Sequence, residues 1–229
     1  MIKAVFFDMN ETLLNLSLLK NTFDKYFKDP YVLKYWFTKL LHNSSIMGIM
    51  DEYRNFGELA DVALENLFYE SNKPLSAEIK AEILGEFRKL PAYDDVRPAL
   101  KLLRDKNIRV IAVSNSSLAM IKEQLTNAGI MDLFDSYYSV DAVKKYKPFK
   151  DVYQWAAKQE KLRTQDIVMV ATHDWDLFGA NKAGLSTAYI KRKEVIYHPY
   201  YVQADFKALN LPDLIQQVID YRRPASTFG

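Results

Sequence analysis

Cysteine is absent from this sequence of 229 residues. Its absence excludes disulfides, thiolate metal sites and cysteine nucleophiles. Histidine is scarce, and its three occurrences lie too far apart along the chain to suggest a structural zinc site: His42, His173 and His198. No apolar run reaches the roughly 18 residues of a transmembrane helix, and the first residues lack the apolar region of a signal peptide. The sequence therefore predicts a cytoplasmic protein that does not bind membranes.

An excess of charge of either sign is also missing. Lysine and arginine number 31, aspartate and glutamate 29, and the net charge is +2. A nucleic-acid surface would need basic residues clustered on one element, and the densest lysine run is the short one at residues 144–150. We therefore expect no nucleic-acid partner. With 49% hydrophobic and 26% charged residues, the composition is that of a globular protein.

The hydrophobic pattern divides the chain into two kinds of structure. Residues 4–7 form a short, apolar, β-prone segment that ends at Asp8. From about residue 16 to residue 90, apolar side chains recur at intervals of three or four, which predicts helices. Beyond Pro91, short apolar runs alternate with helical segments, a pattern typical of a parallel sheet covered by helices on both faces. The strands predicted there lie at 109–113, 136–140, 167–171, 187–190 and 206–208.

Polar residues follow the predicted strands at the points where the strands end. Ligands of parallel sheets bind beyond the carboxyl ends of the strands, so these side chains are expected to share one crevice. Each alone is typical of a turn, a helix cap or a solvated loop, and only their joint order points to a site. They are Asp8 and Thr12 after the first strand, Ser114 and Asn115 after the second, Lys147 ahead of a helix that carries Tyr153, and His173 and Asp176 after the strand at 167–171.

This set of side chains would support a nucleophile. An aspartate among hydrogen-bond donors and beside a lysine stays ionised, so Asp8 could attack an electrophilic centre and form an ester or an acyl phosphate. Thr12 and Ser114 could orient the carboxylate or the substrate. Lys147 could neutralise negative charge, and Asp176 could hold Lys147 or a hydrolytic water.

The ordered motifs resemble those of the haloacid dehalogenase superfamily, and more narrowly its type II 2-haloacid dehalogenase branch. The resemblance covers nearly the whole chain and implies an α/β protein, with a Rossmann-like doubly wound parallel sheet and an inserted helical cap. It places the catalytic core at 1–15 and 94–229 and the helical cap domain at 16–93. The matching segments are Asp8-x-Asn10-x-Thr12-Leu13, Val113-Ser114-Asn115, Lys147-Pro148 with Val152-Tyr153, and Trp175-Asp176 with Gly179-Ala180.

Two positions bear on the choice between a phosphatase and a dehalogenase. Phosphatases of the superfamily carry a second aspartate two residues after the nucleophile, which protonates the leaving alkoxide, whereas Asn10 cannot act as an acid. They also bind Mg²⁺ through an acidic residue at the position of Thr172, and a neutral hydroxyl makes a poor Mg²⁺ ligand. The resemblance thus implies a reaction without metal or other cofactor. Asp174 and Asp176 could form a displaced Mg²⁺ site, which keeps a phosphatase of small phosphate esters as the alternative.

Other positions depart from the dehalogenase branch. Its known members have an arginine directly after a tryptophan in the first cap helix, and this arginine helps to receive the halide. Here Trp36 is followed by Phe37. Asn10 stands in place of the tyrosine two residues after the nucleophile, and Thr172 and His173 replace the serine and asparagine ahead of the Trp-Asp pair.

Several residues therefore admit two interpretations. Arg54 could replace the missing cation or be an ordinary surface arginine. Trp36 and Phe37 could form an apolar wall against the substrate or could simply pack the cap. His173 could activate the hydrolytic water, since the ordinary pKa of histidine lies near neutrality, or it could hydrogen-bond the turn that presents Asp176.

These features together predict a hydrolase that removes halide from small 2-haloalkanoic acids through an aspartyl ester, with Asn115 receiving the halide. A non-catalytic protein with the same fold is a second alternative, and the aromatic residues of the cap would also suit a homodimer. No metal ligand is predicted. The predicted catalytic residues are Asp8, Thr12, Ser114, Lys147, His173 and Asp176, and the predicted substrate-binding residues are Asn10, Trp36, Phe37, Asn115 and Tyr153.

Overall fold

A six-stranded sheet forms the centre of the protein, with its strands in the order β3-β2-β1-β4-β5-β6. The computed structural model describes residues 1–221; residues 222–229, the end of the predicted core domain, lie outside the described part. All neighbouring strands run parallel. This order is that of a doubly wound Rossmann-like sheet, so the predicted fold class is confirmed. The strands are β1 (Ala4–Phe7), β2 (Arg109–Ser114), β3 (Ser136–Ser139), β4 (Ile167–Ala171), β5 (Ser186–Ile190) and β6 (Phe206–Ala208).

The strand order reverses beside β1, because β2 and β3 lie on one side of it and β4 to β6 on the other. Phe7, the last residue of β1, is in register with Ala112 of β2 and Val170 of β4. Open parallel sheets bind ligands beyond the carboxyl ends of the strands at such a reversal. Asp8, the next residue, therefore enters the crevice at the middle of the sheet.

Helices cover both faces of the sheet and form a further layer above its carboxyl edge. None of the helices within residues 1–221 is long and apolar enough to span a membrane. Short 3₁₀ turns lie at Leu16–Leu19, Met131–Leu133, Val140–Ala142 and Thr164–Asp166. The α-helices are α1 (Lys20–Phe23), α2 (Val32–Ile49), α3 (Phe56–Glu70), α4 (Ala77–Arg88), α5 (Val96–Asp105), α6 (Leu118–Asn127), α7 (Lys150–Gln159), α8 (Asp174–Lys182) and α9 (Leu211–Asp220).

Helix α8 begins at Asp174. Asp174 and Asp176 both place negative charge in its first turn, where the helix dipole favours it. Asp174 Oδ1 also accepts the backbone N–H of Trp175 at 2.8 Å. Asp176 thus lies inside the first helical turn, which fixes the direction of its side chain.

The segment between β1 and α5 is built from helices, and within the described chain it contributes no strand to the sheet. Ser76 caps α4, since its side chain accepts the backbone N–H of Ile79. The segment leaves and rejoins the sheet layer at adjacent points, since Asn15 N donates to Pro91 O at 2.8 Å and Tyr93 N donates to Leu13 O at 3.0 Å. These two hydrogen bonds anchor the helical layer close to Asp8. The division into a core and a cap domain stays a prediction.

Candidate active site

Asp8 lies at the floor of the crevice and is held by a chain of hydrogen bonds. Its backbone N–H donates to Val170 O at 3.0 Å, which continues the pairing of β1 with β4. The Thr12 hydroxyl donates to Asp8 Oδ2 at 2.7 Å, and the backbone N–H of Thr172 donates to Thr12 Oγ1 at 2.9 Å. Only 6% of Asp8 is exposed. The carboxylate is therefore fixed in place and shielded from bulk water.

Lys147 joins Asp8 to Asp176 inside the protein. Its ammonium Nζ lies 2.7 Å from Asp8 Oδ1 and 2.7 Å from Asp176 Oδ2, and its side chain is almost wholly buried. Its backbone N–H donates to Asn115 Oδ1 at 2.8 Å. The Tyr153 hydroxyl donates to the other oxygen of Asp176. One buried cation thus lies between two buried carboxylates, and residues from three separate strand ends converge as predicted.

Burial and charge act in opposite directions on this cluster. Burial alone would raise the pKa of Asp8, but the charges of Lys147 and His173 outweigh it and hold the pKa well below the ordinary range. Burial would lower the pKa of Lys147, but Asp176 and Asp8 outweigh it and raise the pKa. For Asp176 burial dominates, so its pKa rises although Lys147 opposes the shift. Asp8 is therefore held in its ionised form at the centre of the site.

His173 bridges Asp8 to a second carboxylate. Its Nδ1 lies 3.1 Å from Asp8 Oδ2 and its Nε2 lies 2.9 Å from Glu11 Oε2. Ionised carboxylates only accept hydrogen bonds, so both ring nitrogens must donate, and only the imidazolium has two N–H groups. Burial would lower the pKa of His173, but the hydrogen bonds to Asp8 and Glu11 outweigh it and raise the pKa to about 9. At neutral pH His173 is a cation, which disfavours the role of a base that activates water.

Glu11 and Lys193 complete this network, and sequence reasoning did not identify either of them. Lys193 Nζ forms an ion pair with Glu11 Oε1, the oxygen that His173 does not contact. Glu11 adopts the left-handed backbone conformation, with φ of 64°, which directs the loop back after β1. Lys193 follows β5, so inspecting the end of that strand as well would have pointed to it. Glu11 lies in the first motif between Asn10 and Thr12, and the sequence predicts a role for these two neighbours but not for Glu11.

Arg192 fixes the loop that carries Thr12. Its Nε donates to Thr12 O at 3.1 Å, and its two terminal nitrogens each lie 2.8 Å from an oxygen of Asp95. The guanidinium also lies 4.2 Å from the centre of the Tyr93 ring. A bidentate ion pair of this kind is geometrically specific, so Arg192 holds the Thr12 loop against Asp95.

Three predicted polar residues are buried near Asp8 but have different partners. Ser114 Oγ accepts the backbone N–H of Ser116 at 3.1 Å, and no hydrogen bond of the described residues joins it to Asp8. Asn10 Oδ1 accepts from Gln124 Nε2 at 3.2 Å. Asn115 Oδ1 accepts the backbone N–H of Lys147, while Asn115 Nδ2 has no hydrogen-bond partner within residues 1–221. Asn115 therefore keeps an amide donor for a ligand, as do Asn10 through Nδ2 and Ser114 through its hydroxyl among the hydrogen bonds of residues 1–221.

The two aromatic residues predicted to contact the substrate separate in the structure. Trp36 is fully buried inside the helical layer, where its Nε1 donates to Ala60 O at 3.1 Å and its ring packs edge-on against Phe87. This position corrects the expectation that Trp36 contacts the substrate. Phe37 lines the cavity above the site, with its ring centre 6.5 Å from that of His173. Arg54 is exposed and does not line this cavity.

The carboxylates of the site do not fit a divalent cation. Asp8 and Asp176 share Lys147, while Glu11 faces His173 and Lys193. Asp174 accepts backbone N–H groups on both oxygens, from Trp175 at 2.8 Å and from His198 at 2.9 Å. Within residues 1–221 no group of three or more histidine or acidic side chains is arranged to hold a metal ion. A displaced Mg²⁺ site would have to compete with cations that already neutralise these oxygens.

The charged state of His173 predicts a fall in stability in alkaline solution. Its folded pKa of about 9 exceeds the ordinary value of 6.5, so its contribution is complete below pH 6.5 and is lost as the pH rises through 9. The loss would reach about 3 kcal/mol. Urea unfolding midpoints between pH 6 and pH 10 measure it. The His173→Asn variant should lack this decline, and an equally steep decline in that variant would contradict the assignment.

Gly179 of α8 packs against the residue that follows Lys147. A Cβ at Gly179 would lie 2.5 Å from Pro148 Cβ and would collide with the Pro148 carbonyl oxygen. Gly179→Ala should therefore push α8 from this loop and destabilise the protein by about 1–3 kcal/mol. Gly85 of α4 provides the matched control, because its Cβ would meet no atom within 4 Å. Gly85→Ala should stabilise by up to about 1 kcal/mol in the same urea titration, and equal effects of the two changes would refute this packing argument.

Comparison with known proteins relates the chain to one family. The family described as haloacid dehalogenase-like hydrolase matches residues 2–184. The (S)-2-haloacid dehalogenase of Pseudomonas sp. (strain YL) is 25% identical over 217 residues, 94% of each chain. Haloacetate dehalogenase H-2 of Moraxella sp. (strain B) is 27% identical over 195 residues, 83% of this chain and 86% of that protein.

Solved structures agree with the fold. The L-2-haloacid dehalogenase from Xanthobacter autotrophicus with chloropropionic acid covalently bound superimposes with a TM-score of 0.91. The match covers 97% of this chain and 100% of the other at 23% sequence identity. At this level of identity the likeness shows the shared fold alone.

Proposed function

Since the chain belongs to the haloacid dehalogenase-like hydrolases, we propose that it is a metal-independent 2-haloacid dehalogenase that acts through an ester on Asp8. The state of Asp8 carries this proposal. It is a buried carboxylate whose pKa is lowered by Lys147 and His173 against the effect of burial. A carboxylate that is ionised, fixed and shielded from water is a nucleophile. Curated relatives whose names specify 2-haloacids support the choice of substrate.

The two oxygens of Asp8 differ in their partners, which supports attack through Oδ1. Oδ2 accepts from Thr12 and faces His173, whereas Oδ1 faces only Lys147 among the described residues. Oδ1 keeps a free lone pair, so it forms the bond to the halogen-bearing carbon. The carbon–halogen bond breaks and the halide leaves with the electron pair. No acid is needed at Asn10, because a halide leaves without a proton. Asn115 donates to it through Nδ2.

The second step hydrolyses the ester. Water attacks Cγ of Asp8, and negative charge develops on Oδ2. The Thr12 hydroxyl at 2.7 Å and the His173 ring at 3.1 Å already point at this oxygen and act as an oxyanion hole. The bond from Cγ to Oδ1 then breaks, and Oδ1 departs in the 2-hydroxy acid after taking a proton. The water oxygen remains in Asp8, and one proton is released to solvent.

Labelled water tests this sequence of steps. Excess enzyme is mixed with (S)-2-chloropropionate in H₂¹⁸O, and halide release, product mass and the mass of the peptide containing Asp8 are followed. In a single turnover the label should enter Asp8 and the product should stay unlabelled. Label in the product alone would mean that water attacks the substrate directly. Release of phosphate from small phosphate esters, dependent on Mg²⁺ and without halide release, would replace the proposal by the phosphatase alternative.

The remaining expectations concern partners and location. The proposed partner is a small halogenated acid, and the lysine and histidine cations around Asp8 suit its negative charge. The cytoplasmic location and the homodimer stay predictions. Size-exclusion chromatography with light scattering decides the oligomeric state.

A further inference from the structure

A long cavity extends away from Asp8 between α2 and the core. Its volume is about 700 Å³, and Lys147 and His173, two of the side chains that hold Asp8, line it. The lining face of α2 runs from Leu33 to Ser45. These twelve helical steps span about 18 Å. The cavity is thus an elongated groove that is continuous with the catalytic site.

A short 2-haloacid would leave most of this groove empty. Such a molecule fills on the order of 150 Å³, about five times the ~30 Å³ that one water occupies in the liquid. Cavities of about 300–1,000 Å³ accommodate ligands many atoms larger. The groove therefore has room for a much longer substrate.

The walls of the groove are mainly apolar. On α2 the successive turns contribute Leu33, Phe37 and Leu41, which all face the cavity. The loop after β5 contributes Val195 and Ile196, which are 50% and 90% exposed. Large aliphatic side chains this exposed beside a cavity mark a surface that an apolar ligand would cover. The same loop carries Lys193, which is half-exposed and places a cation beside the catalytic end.

We propose that the preferred substrate is a 2-haloacid with an unbranched aliphatic tail long enough to lie along this groove. This inference rests on the proposed dehalogenase function. The halogen-bearing carbon lies at Asp8, the carboxylate faces His173 and Lys193, and the tail lies along Leu33, Phe37 and Leu41. Val195 and Ile196 cover the tail from the mouth of the groove.

Halide release from a homologous series of acids tests the substrate class. The values of kcat/KM are measured for 2-bromopropionate, 2-bromohexanoate and 2-bromooctanoate. Each added methylene that is buried should raise kcat/KM by about threefold, so the octanoate should exceed the propionate by at least about 50-fold. An equal or lower value for the octanoate, with bromide still released from the propionate, would overturn the inference and leave the proposed function intact. No bromide from any acid would mean that the proposed function itself fails.

A substitution in the groove tests whether its walls cause the preference for the longer acid. Leu41→Trp fills the groove one turn beyond Phe37 and should lower the ratio of kcat/KM for the octanoate to that for the propionate by at least tenfold, about 1.4 kcal/mol. Leu118→Trp is the matched control, because Leu118 is a partly exposed leucine on α6 outside the groove. It should leave the ratio unchanged. If Leu41→Trp also leaves it unchanged, the tail does not bind along α2 and the proposal is wrong.

Discussion

Replacing Asp8 with asparagine is expected to abolish dehalogenation, with kcat lowered by at least about 10⁴-fold. The amide keeps the shape of the carboxylate and an oxygen that can accept from Thr12. It has no negative charge, so it cannot displace a halide from carbon at a useful rate. No other ionised carboxylate can substitute, because Asp176 is held by Lys147 and Tyr153 and Glu11 by His173 and Lys193.

The Asp8→Asn protein should nevertheless fold. Lys147 keeps Asp176 as its partner and His173 keeps Glu11, so neither cation is left without a counter-ion. Circular dichroism and urea unfolding check the fold, and intact mass rules out deamidation back to aspartate. Asp132→Asn, a change at an exposed aspartate paired with Arg97, is the control and should retain full activity. Residual turnover above about 1% in the Asp8 variant would assign the nucleophile to another group.

The position of Asp8 could be predicted from the sequence because it depends on local rules. A short apolar run of four residues predicts β1, and the first polar residue after it must emerge at the carboxyl edge of the sheet. The same rule places Ser114, Asn115 and the residues after Ala171 at that edge. Parallel pairing alone then brings these residues together, without any knowledge of side-chain packing.

The network around His173 could not be predicted in this way. His173 meets Glu11 because the loop after β1 turns back at a left-handed residue, and no rule of hydrophobic periodicity encodes that turn. Lys193 reaches Glu11 from a loop 182 residues further along the chain. The charge of His173 depends on both contacts. The charge state of His173 can therefore be assigned only from the three-dimensional arrangement of these two loops.

Trp36 and Phe37 show a different limit of prediction from the sequence. Adjacent residues of a helix point about 100° apart, so one of the two faces the interior of the helical layer and the other faces the groove. Both are large and aromatic, and the sequence pattern does not distinguish them. Packing decides the matter, since Trp36 fits among Phe23, Phe37 and Phe87. The residue that remains at the groove is Phe37, which supplies an apolar surface where a cation was expected by resemblance.

Replacing Lys147 with methionine should cost both stability and activity. The change preserves the length of the side chain and removes its charge, which leaves Asp8 and Asp176 as two buried carboxylates without their shared cation. Removing one partner of a buried ion pair typically costs about 3–5 kcal/mol. Lys145→Met is the matched control. Lys145 pairs with an exposed aspartate, Asp51, and surface pairs of this kind contribute less than about 1 kcal/mol.

The pH dependence of the Lys147→Met variant distinguishes a lost charge from a general loss of packing. Burial raises the pKa of both Asp8 and Asp176, and in the wild type Lys147 opposes this effect at each of them. Without Lys147, the carboxyls of the folded variant should bind protons more tightly than those of the unfolded chain, so its stability should fall as the pH rises above the ordinary value of 3.8. The difference in unfolding free energy between the variant and the wild type should therefore widen between pH 5 and pH 8. At pH 7 the kcat of the variant should be lower by about 10³-fold. This kcat should partly recover as the pH rises and Asp8 ionises. Urea titrations and halide release across this range measure both trends. A stability gap that stays constant with pH, together with activity that does not recover, would mean that Lys147 acts through packing and not through its charge.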